Sequence, residues 1–210
     1  MLLIVDEVIC GYGRSGKKFG HQNFGVKPDI VTMAKGLTSA YSPLSATAFR
    51  EDIYETFRQS GATNHFRHVN TFGGNPVSCA VANKNLEILE RERLVQTAEK
   101  LGRRLKDRLM NLLSHPYVGD IRSFGFAAGI ELVEDKETKR PLAADVVAKV
   151  IAACKQRGLL IGKNGDTSPG FANVLTVSPP FVTTLEEVDW MVSTIEIALN
   201  TLPLYDGTAQ

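Results

Sequence analysis

The sequence has 210 residues, 43% hydrophobic and 22% charged, enough for one substantial domain or two smaller ones with a sizeable core. Its 24 Lys and Arg against 23 Asp and Glu leave a net charge of +1 without a basic block, which removes the electrostatic case for nucleic acid. No apolar run is long enough to span a bilayer and "MLLIVDEV" has no basic leader, so neither a membrane protein nor a secretory signal is expected.

In chain order, residues 2–5 read as a parallel-type strand, apolar on both faces, ending at Asp6 and Glu7. A glycine-rich loop follows, and "KPDIVTMAKG" predicts a second strand near 30–33 that closes on Lys35 and Gly36. "AYSPLSATAF" reads as a turn at Pro43 and a third strand-like run near 44–49, with a short helix over 51–59. Residues 60–75 are polar and glycine-bearing, the texture of a functional loop. Pro76 then opens a long helical region at its favoured first-turn position. Leu94, Ala98, Leu101, Leu105, Leu109 and Leu112 recur there at steps of three or four, giving one apolar stripe that ends near "SHPYVG".

Beyond it, "FGFAAGIELV" (124–133) predicts a strand, "DKETKRP" a hairpin-like turn, and 143–157 a helix carrying Val146, Val147, Val150, Ile151 and Cys154. "GLLIG" and "NVLTVSP" are two further strands, and 184–200 closes as a helix with Val188, Met191, Val192, Ile195 and Leu199. A boundary near residue 110 separates an α/β part, 1–110, from a smaller α+β part, 111–210. Cys10, Cys79 and Cys154 form no C-x-x-C pair, so neither a disulfide framework nor a zinc site is implied, and a reducing cytoplasm is the expected setting.

Gly11 to Gly16 spell G-x-G-x-x-G directly after a strand, the pattern of a dinucleotide-binding turn. That turn requires a helix after its third glycine and an acid at the end of the next strand. Here "KKFGHQNFGVKPD" has no helical apolar period, and the candidate acid Asp29 precedes the next strand. Asp6 and Glu7 also set two carboxylates at the mouth of the loop, where phosphates would have to come. A nicotinamide oxidoreductase is therefore disfavoured. What remains is Asp6 and Lys35 at the carboxyl ends of two strands, where α/β sheets place their ligands. Singly they read as a solvated acid and a surface lysine; together they bracket a cleft.

The segment "VDEVICGYGRSGKKFGHQNFGVKPDIVTMAKGLTSAYSPLSA" followed by "HVNTFGGNP" resembles the class-III aminotransferases among the fold-type-I pyridoxal-phosphate enzymes. The blocks D-E-V-x-x-G-x-G-R-x-G, P-D-I-x-x-x-A-K-G and T-x-x-G-[NH]-P stand in order, and "IRSFGFAAGIELV" and "SPPFVTTLEEVD" are similar to the family's small domain. The resemblance implies part of a large cofactor domain with a mainly parallel sheet over 1–110, ending in a long connecting helix, and a small α+β domain over 111–210. It implies pyridoxal 5′-phosphate as cofactor, Lys35 as the Schiff-base lysine, Asp6 facing the pyridine nitrogen, Val8 against the ring, and Thr71 binding the cofactor phosphate of a partner subunit. A homodimer with a shared active site follows. By the alternation of a strand, Val8 is expected on the same side as Asp6. His65 and His68 have no acidic or cysteine partner at ligand spacing, so no metal is expected; Arg14 reads as part of the loop.

The resemblance also implies an upstream half of about equal length, so the chain reads as a C-terminal portion. Where several pyruvate-dependent members carry a substrate-gripping arginine, "GLLIGKNGDT" has Gly162. The surrounding "GKNGDTSPGFANVLTVSPP" is similar to the ω-amino acid and taurine–pyruvate branch; Lys163, Asn164 and Asn173 would hold a sulfonate or carboxylate there, or simply form a polar turn. The expected activity is transfer of an amino group from an ω-amino donor to a 2-oxo acid such as pyruvate. An aminomutase or decarboxylase with the same cofactor, or a truncated non-catalytic fragment, are the alternatives.

Overall fold

Residues 1–58, 65–165 and 170–203 are described in a computed structural model. Parts of the expected polar loop (59–64) and of the "GKNGDTSPG" turn (166–169) lie outside the described residues, as do 204–210. The chain divides into two compact units, Met1–Gln96 and Thr97–Gln210.

In the first unit β1 (Ile4–Asp6) runs parallel to β2 (Ile30–Met33), which pairs antiparallel with β3 (Ala46–Phe49). The sheet is thus mixed, with one parallel pair rather than a mainly parallel set. β1 is shorter than expected and is not buried on both faces: Leu2 and Ile4 are 53% and 60% exposed. The reason is position, since β1 is the edge of a three-stranded sheet with a pairing neighbour on one side. Asp29, the acid weighed for a ribose, instead accepts from the Leu3 amide at 2.7 Å and pairs with Arg50, holding the starts of β1 and of α1 (Glu51–Arg58).

The single long helical region is two helices, α2 (Pro76–Arg91) and α3 (Leu94–Met110). Asn75 caps α2, its Oδ1 accepting from the amides of Val77 and Ser78. The break falls at Glu92–Arg93, where Arg93 takes a left-handed φ of +53° without any glycine or proline to announce it. The two units divide within α3, after Gln96.

The second unit holds an antiparallel sheet of β4 (Val118–Ser123), β5 (Ala128–Leu132), β6 (Gly162–Lys163) and β7 (Val174–Val177) in the order β4-β5-β7-β6. Helices α4 (Ala144–Gln156) and α5 (Leu185–Leu199) complete it. The apolar stripe of α3 is buried here: Leu105 and Leu109 are fully inaccessible, in one cluster with Phe126, Ile130, Val147 and Ile195. α3 lies backbone to backbone on the turn before β5, because a Cβ on Gly102 would stand 2.2 Å from the Gly125 carbonyl oxygen. α5 starts at a capping box in which Thr184 Oγ1 accepts from the Glu187 amide and Glu187 Oε2 accepts from the Thr184 amide. Among the described residues no helix is long and apolar enough to cross a membrane.

Candidate active site

The β1–β2 register brings the candidate residues to one sheet edge. Asp6 is opposite Thr32, and the Glu7 amide continues the ladder by donating to the Thr32 carbonyl at 2.8 Å. Lys35 comes three residues after Thr32, opening the tight turn Lys35–Leu37. Two adjacent parallel strands therefore end together, one on a carboxylate and the other on a lysine, at the edge where α/β sheets bind ligands.

The neighbouring acids Asp6 and Glu7 have separate tasks. Asp6 is exposed, and its Oδ1 accepts from the Val8 amide at 2.9 Å. That bond fixes the carboxylate from one side and leaves Oδ2 without a partner among the described residues. Glu7 is 1% exposed and accepts from the amides of Gly20 and His21, both at 2.8 Å. His21 Nδ1 stands 2.9 Å from the same carboxylate. Glu7 thus ties the end of the glycine loop beneath the strand, and only Asp6 remains at the edge. Both acids precede the glycine loop in the sequence, and the alternation of strand faces is the signal that separates them.

β1 stops at Asp6, and Val8 lies in the following turn, half-buried. Strand alternation therefore does not place Val8; the Asp6–Val8 hydrogen bond does. After the glycine loop comes a short 3-10 turn, Gly20–Phe24, rather than an α-helix. The loop packs on the lysine turn. A Cβ on Gly36 would stand 3.0 Å from Tyr12 Cβ and 3.2 Å from the Gly11 carbonyl oxygen, so glycine at 36 allows the two backbones to close on each other. Tyr12 Oη donates to Met33 Sδ at 3.3 Å, and burial raises its pKa. Arg14 is half-buried in this loop, and desolvation lowers its pKa.

Lys35 is exposed, and its ammonium forms no hydrogen bond or ion pair among the described residues. Asp6 and Lys35 form no ion pair with each other among the described residues, so a carboxylate and an amine stand open at the same sheet edge. That donor set fits a group with a protonated ring nitrogen at one end and an aldehyde at the other. Thr71 is exposed in a turn closed by the Gly73 amide on the Asn70 carbonyl, four residues before the cap of α2. No hydrogen bond joins it to Asp6 or Lys35 among the described residues.

In the second unit Asn164 and Asn173 are engaged by backbone. Asn164 Oδ1 accepts from the Val174 amide at 2.9 Å, and Asn173, 3% exposed, donates to the Leu132 carbonyl at 2.6 Å. Both pin β7 and its approach, the polar-turn alternative. Gly162 is opposite Thr176, whose Oγ1 a Cβ would meet at 2.6 Å.

Residues 1–199 match the family model described as aminotransferase class-III. An uncharacterized aminotransferase, YhxA, of Bacillus subtilis (strain 168) is 54% identical over 201 residues, which is 96% of this chain and 45% of that protein. The taurine–pyruvate aminotransferase of Bilophila wadsworthia is 44% identical over 205 residues, again 96% of this chain and 45% of that one. The crystal structure of a Bacillus anthracis aminotransferase superposes with a TM-score of 0.92 at 53% identity, over 96% of this chain and 45% of that chain. The chain spans just under half the length of the relatives it matches.

Proposed function

The chain belongs to the class-III aminotransferase family, whose members depend on pyridoxal 5′-phosphate, and from that premise we propose that it carries the lysine-bearing part of a transaminase site. The reaction is transfer of an amino group from an ω-amino compound to a 2-oxo acid such as pyruvate. The observation that carries this is Asp6 and Lys35 at the ends of adjacent, registered strands, with neither group neutralised among the described residues.

The cofactor, when bound, supplies the electron sink that stabilises the substrate carbanion. Lys35 Nζ would hold the cofactor through its aldehyde. As a free amine, Lys35 would serve as the base and acid for the proton on the substrate carbon that bears the amino group. Arginine there would keep the charge and lose the chemistry. Asp6 would hold the ring nitrogen in its protonated form, with the Val8 amide fixing the carboxylate through Oδ1. Opposite charges about 4 Å apart attract by roughly 4 kcal/mol at an effective dielectric near 20. That is enough to raise a ring-nitrogen pKa by about three units.

Residues 1–110 are proposed as part of the large cofactor domain and 111–210 as the small domain. Thr71 is proposed to bind the cofactor phosphate of a partner subunit in a homodimer, an assignment supported by its family motif and by its exposure away from any bond to Asp6 or Lys35. The taurine–pyruvate relative supports a sulfonate or ω-amino donor.

The test is to load the complete gene product with pyridoxal phosphate, reduce it with borohydride and map the adduct. One adduct per chain, at Lys35, is expected; adducts spread over other lysines would remove the assignment. Incubation with taurine or β-alanine and pyruvate should yield alanine. An aminomutase or decarboxylase would keep the Lys35 adduct and make none.

A further inference from the structure

Lys35 stands in a turn of unfavourable backbone. Its φ is +35°, and Ser39 and Ala40 follow at +50° and +64°, so three non-glycine residues among six occupy left-handed conformations. Each costs on the order of 1–3 kcal/mol and persists only where surrounding groups over-determine it. Here the surrounding groups come from α2. Asn85 Nδ2 donates to the carbonyls of Gly36 at 2.8 Å and Leu37 at 3.1 Å, and Asn85 Oδ1 accepts from the Ser39 hydroxyl at 2.9 Å. The amide can face only one way, because two carbonyls demand its NH₂. A second tie comes from Ser78 on the same helix, 2.7 Å from the hydroxyl of Ser42, whose carbonyl accepts from Thr38 Oγ1 at 2.7 Å.

We propose that Asn85 is a positioning residue for Lys35, its side-chain amide clamping the turn after the lysine so that the amine is presented from a fixed, left-handed backbone. The inference rests on Lys35 being the cofactor lysine. All three bonds of this amide fall within four residues of Lys35, whereas a tie serving helix packing alone has no reason to converge there. Asn85 acts through the turn and touches neither cofactor nor substrate. Without it two carbonyls and a hydroxyl lose their partner, and Lys35 can relax toward right-handed φ, carrying its amine away from the Asp6 edge.

The test uses the complete gene product as the holoenzyme. In the parent protein borohydride fixes the cofactor on Lys35; an adduct elsewhere would overturn both the site and this inference. With that adduct established, Asn85→Ala is expected to lower kcat by about ten- to a hundredfold while KM for the amino donor moves less than about threefold. The pH midpoint of the visible cofactor band should shift as well. Independently of catalysis, amide hydrogen exchange over residues 34–42 in the cofactor-free protein should accelerate about tenfold or more. A lower melting temperature with kcat, band and local exchange unchanged would make Asn85 merely structural and overturn the inference, while the Lys35 assignment stands. Should Asn85→Ala fail to fold, Ser39→Ala removes one of the three bonds and carries the same readouts; smaller shifts in the same direction are expected, and none would overturn the inference.

Discussion

At Asp6 the proposed chemistry needs the charge rather than the shape. Asp6→Asn keeps the size, and its carbonyl oxygen can still accept from the Val8 amide, the one bond the carboxylate makes among the described residues. What is lost is the negative charge facing the cofactor ring, worth roughly 4 kcal/mol at an effective dielectric near 20, or about a thousandfold in rate. We expect kcat to fall by about two to three orders of magnitude. The melting temperature of the cofactor-free protein should hardly move, because an exposed isosteric change rarely alters stability by more than about 0.5 kcal/mol. Steady-state rates and a melt of the same preparations check this; a threefold effect on kcat would remove Asp6 from the role. Asp6 and Lys35 were legible in the sequence because each sits in a compact motif at a strand end. Asn85 was not. It lies 50 positions from Lys35 on a helix that also carries exposed Asn83, Lys84, Glu87 and Glu90, and nothing in the sequence separates it from them; only the folded α2 brings it to the turn.

Among the elements, α3 meets the rest of its unit most closely at Gly102. A methyl group there would sit 2.2 Å from the Gly125 carbonyl oxygen and 3.0 Å from the Phe126 amide nitrogen, contacts that backbone cannot yield without displacing Phe126 from the core. Alanine is ordinarily favoured over glycine within a helix by about 1 kcal/mol. Overpacking against backbone outweighs that gain, so Gly102→Ala should destabilise by about 1–3 kcal/mol. Chemical denaturation followed through the second unit measures it, and a gain in stability would show that the helix can ride away from the turn. Elements with clean periodicity were legible: β2, α1, α4 and α5 lie within a residue or two of expectation. β4 was missed because its outward positions carry charge: Arg122 bridges Asp120 and Glu131 at 2.6 Å each, a cross-strand ion network that reads in sequence as a polar loop. The α2–α3 break was missed because Arg93 turns the chain where a glycine would be expected.

For the polypeptide as a whole, burial is distributed very unequally between its two units. Every member of the hydrophobic core cluster lies at Ala98 or beyond. Among the described residues of the first unit the fully buried large side chain is an acid, Glu7, while Leu2, Leu3 and Ile4 of the β1 edge are 44–60% exposed. Burial contributes about 25 cal/mol per Å² of apolar surface, against a backbone ordering cost of roughly 1–2 kcal/mol per residue, so a unit that leaves its strands uncovered has little to offset that cost. In this 210-residue polypeptide the two units should therefore not unfold together. Trp190, the sole tryptophan, is on α5 and reports the second unit alone. Far-UV circular dichroism sees α1 and α2 of the first unit as well, 8 and 16 residues. We expect tryptophan fluorescence to show one cooperative step in guanidinium, and the dichroism to lose part of its helical signal at lower denaturant, before that step begins. Coincident transitions would mean that the first unit draws on the core of the second and unfolds with it. If the early loss moves to higher denaturant when pyridoxal phosphate is added, the gain follows from binding to the folded first unit alone, and its size reports the affinity. That shift should vanish in Lys35→Ala and persist in Gly102→Ala, which separates a ligand seated at the β1–β2 edge from a general effect on the chain.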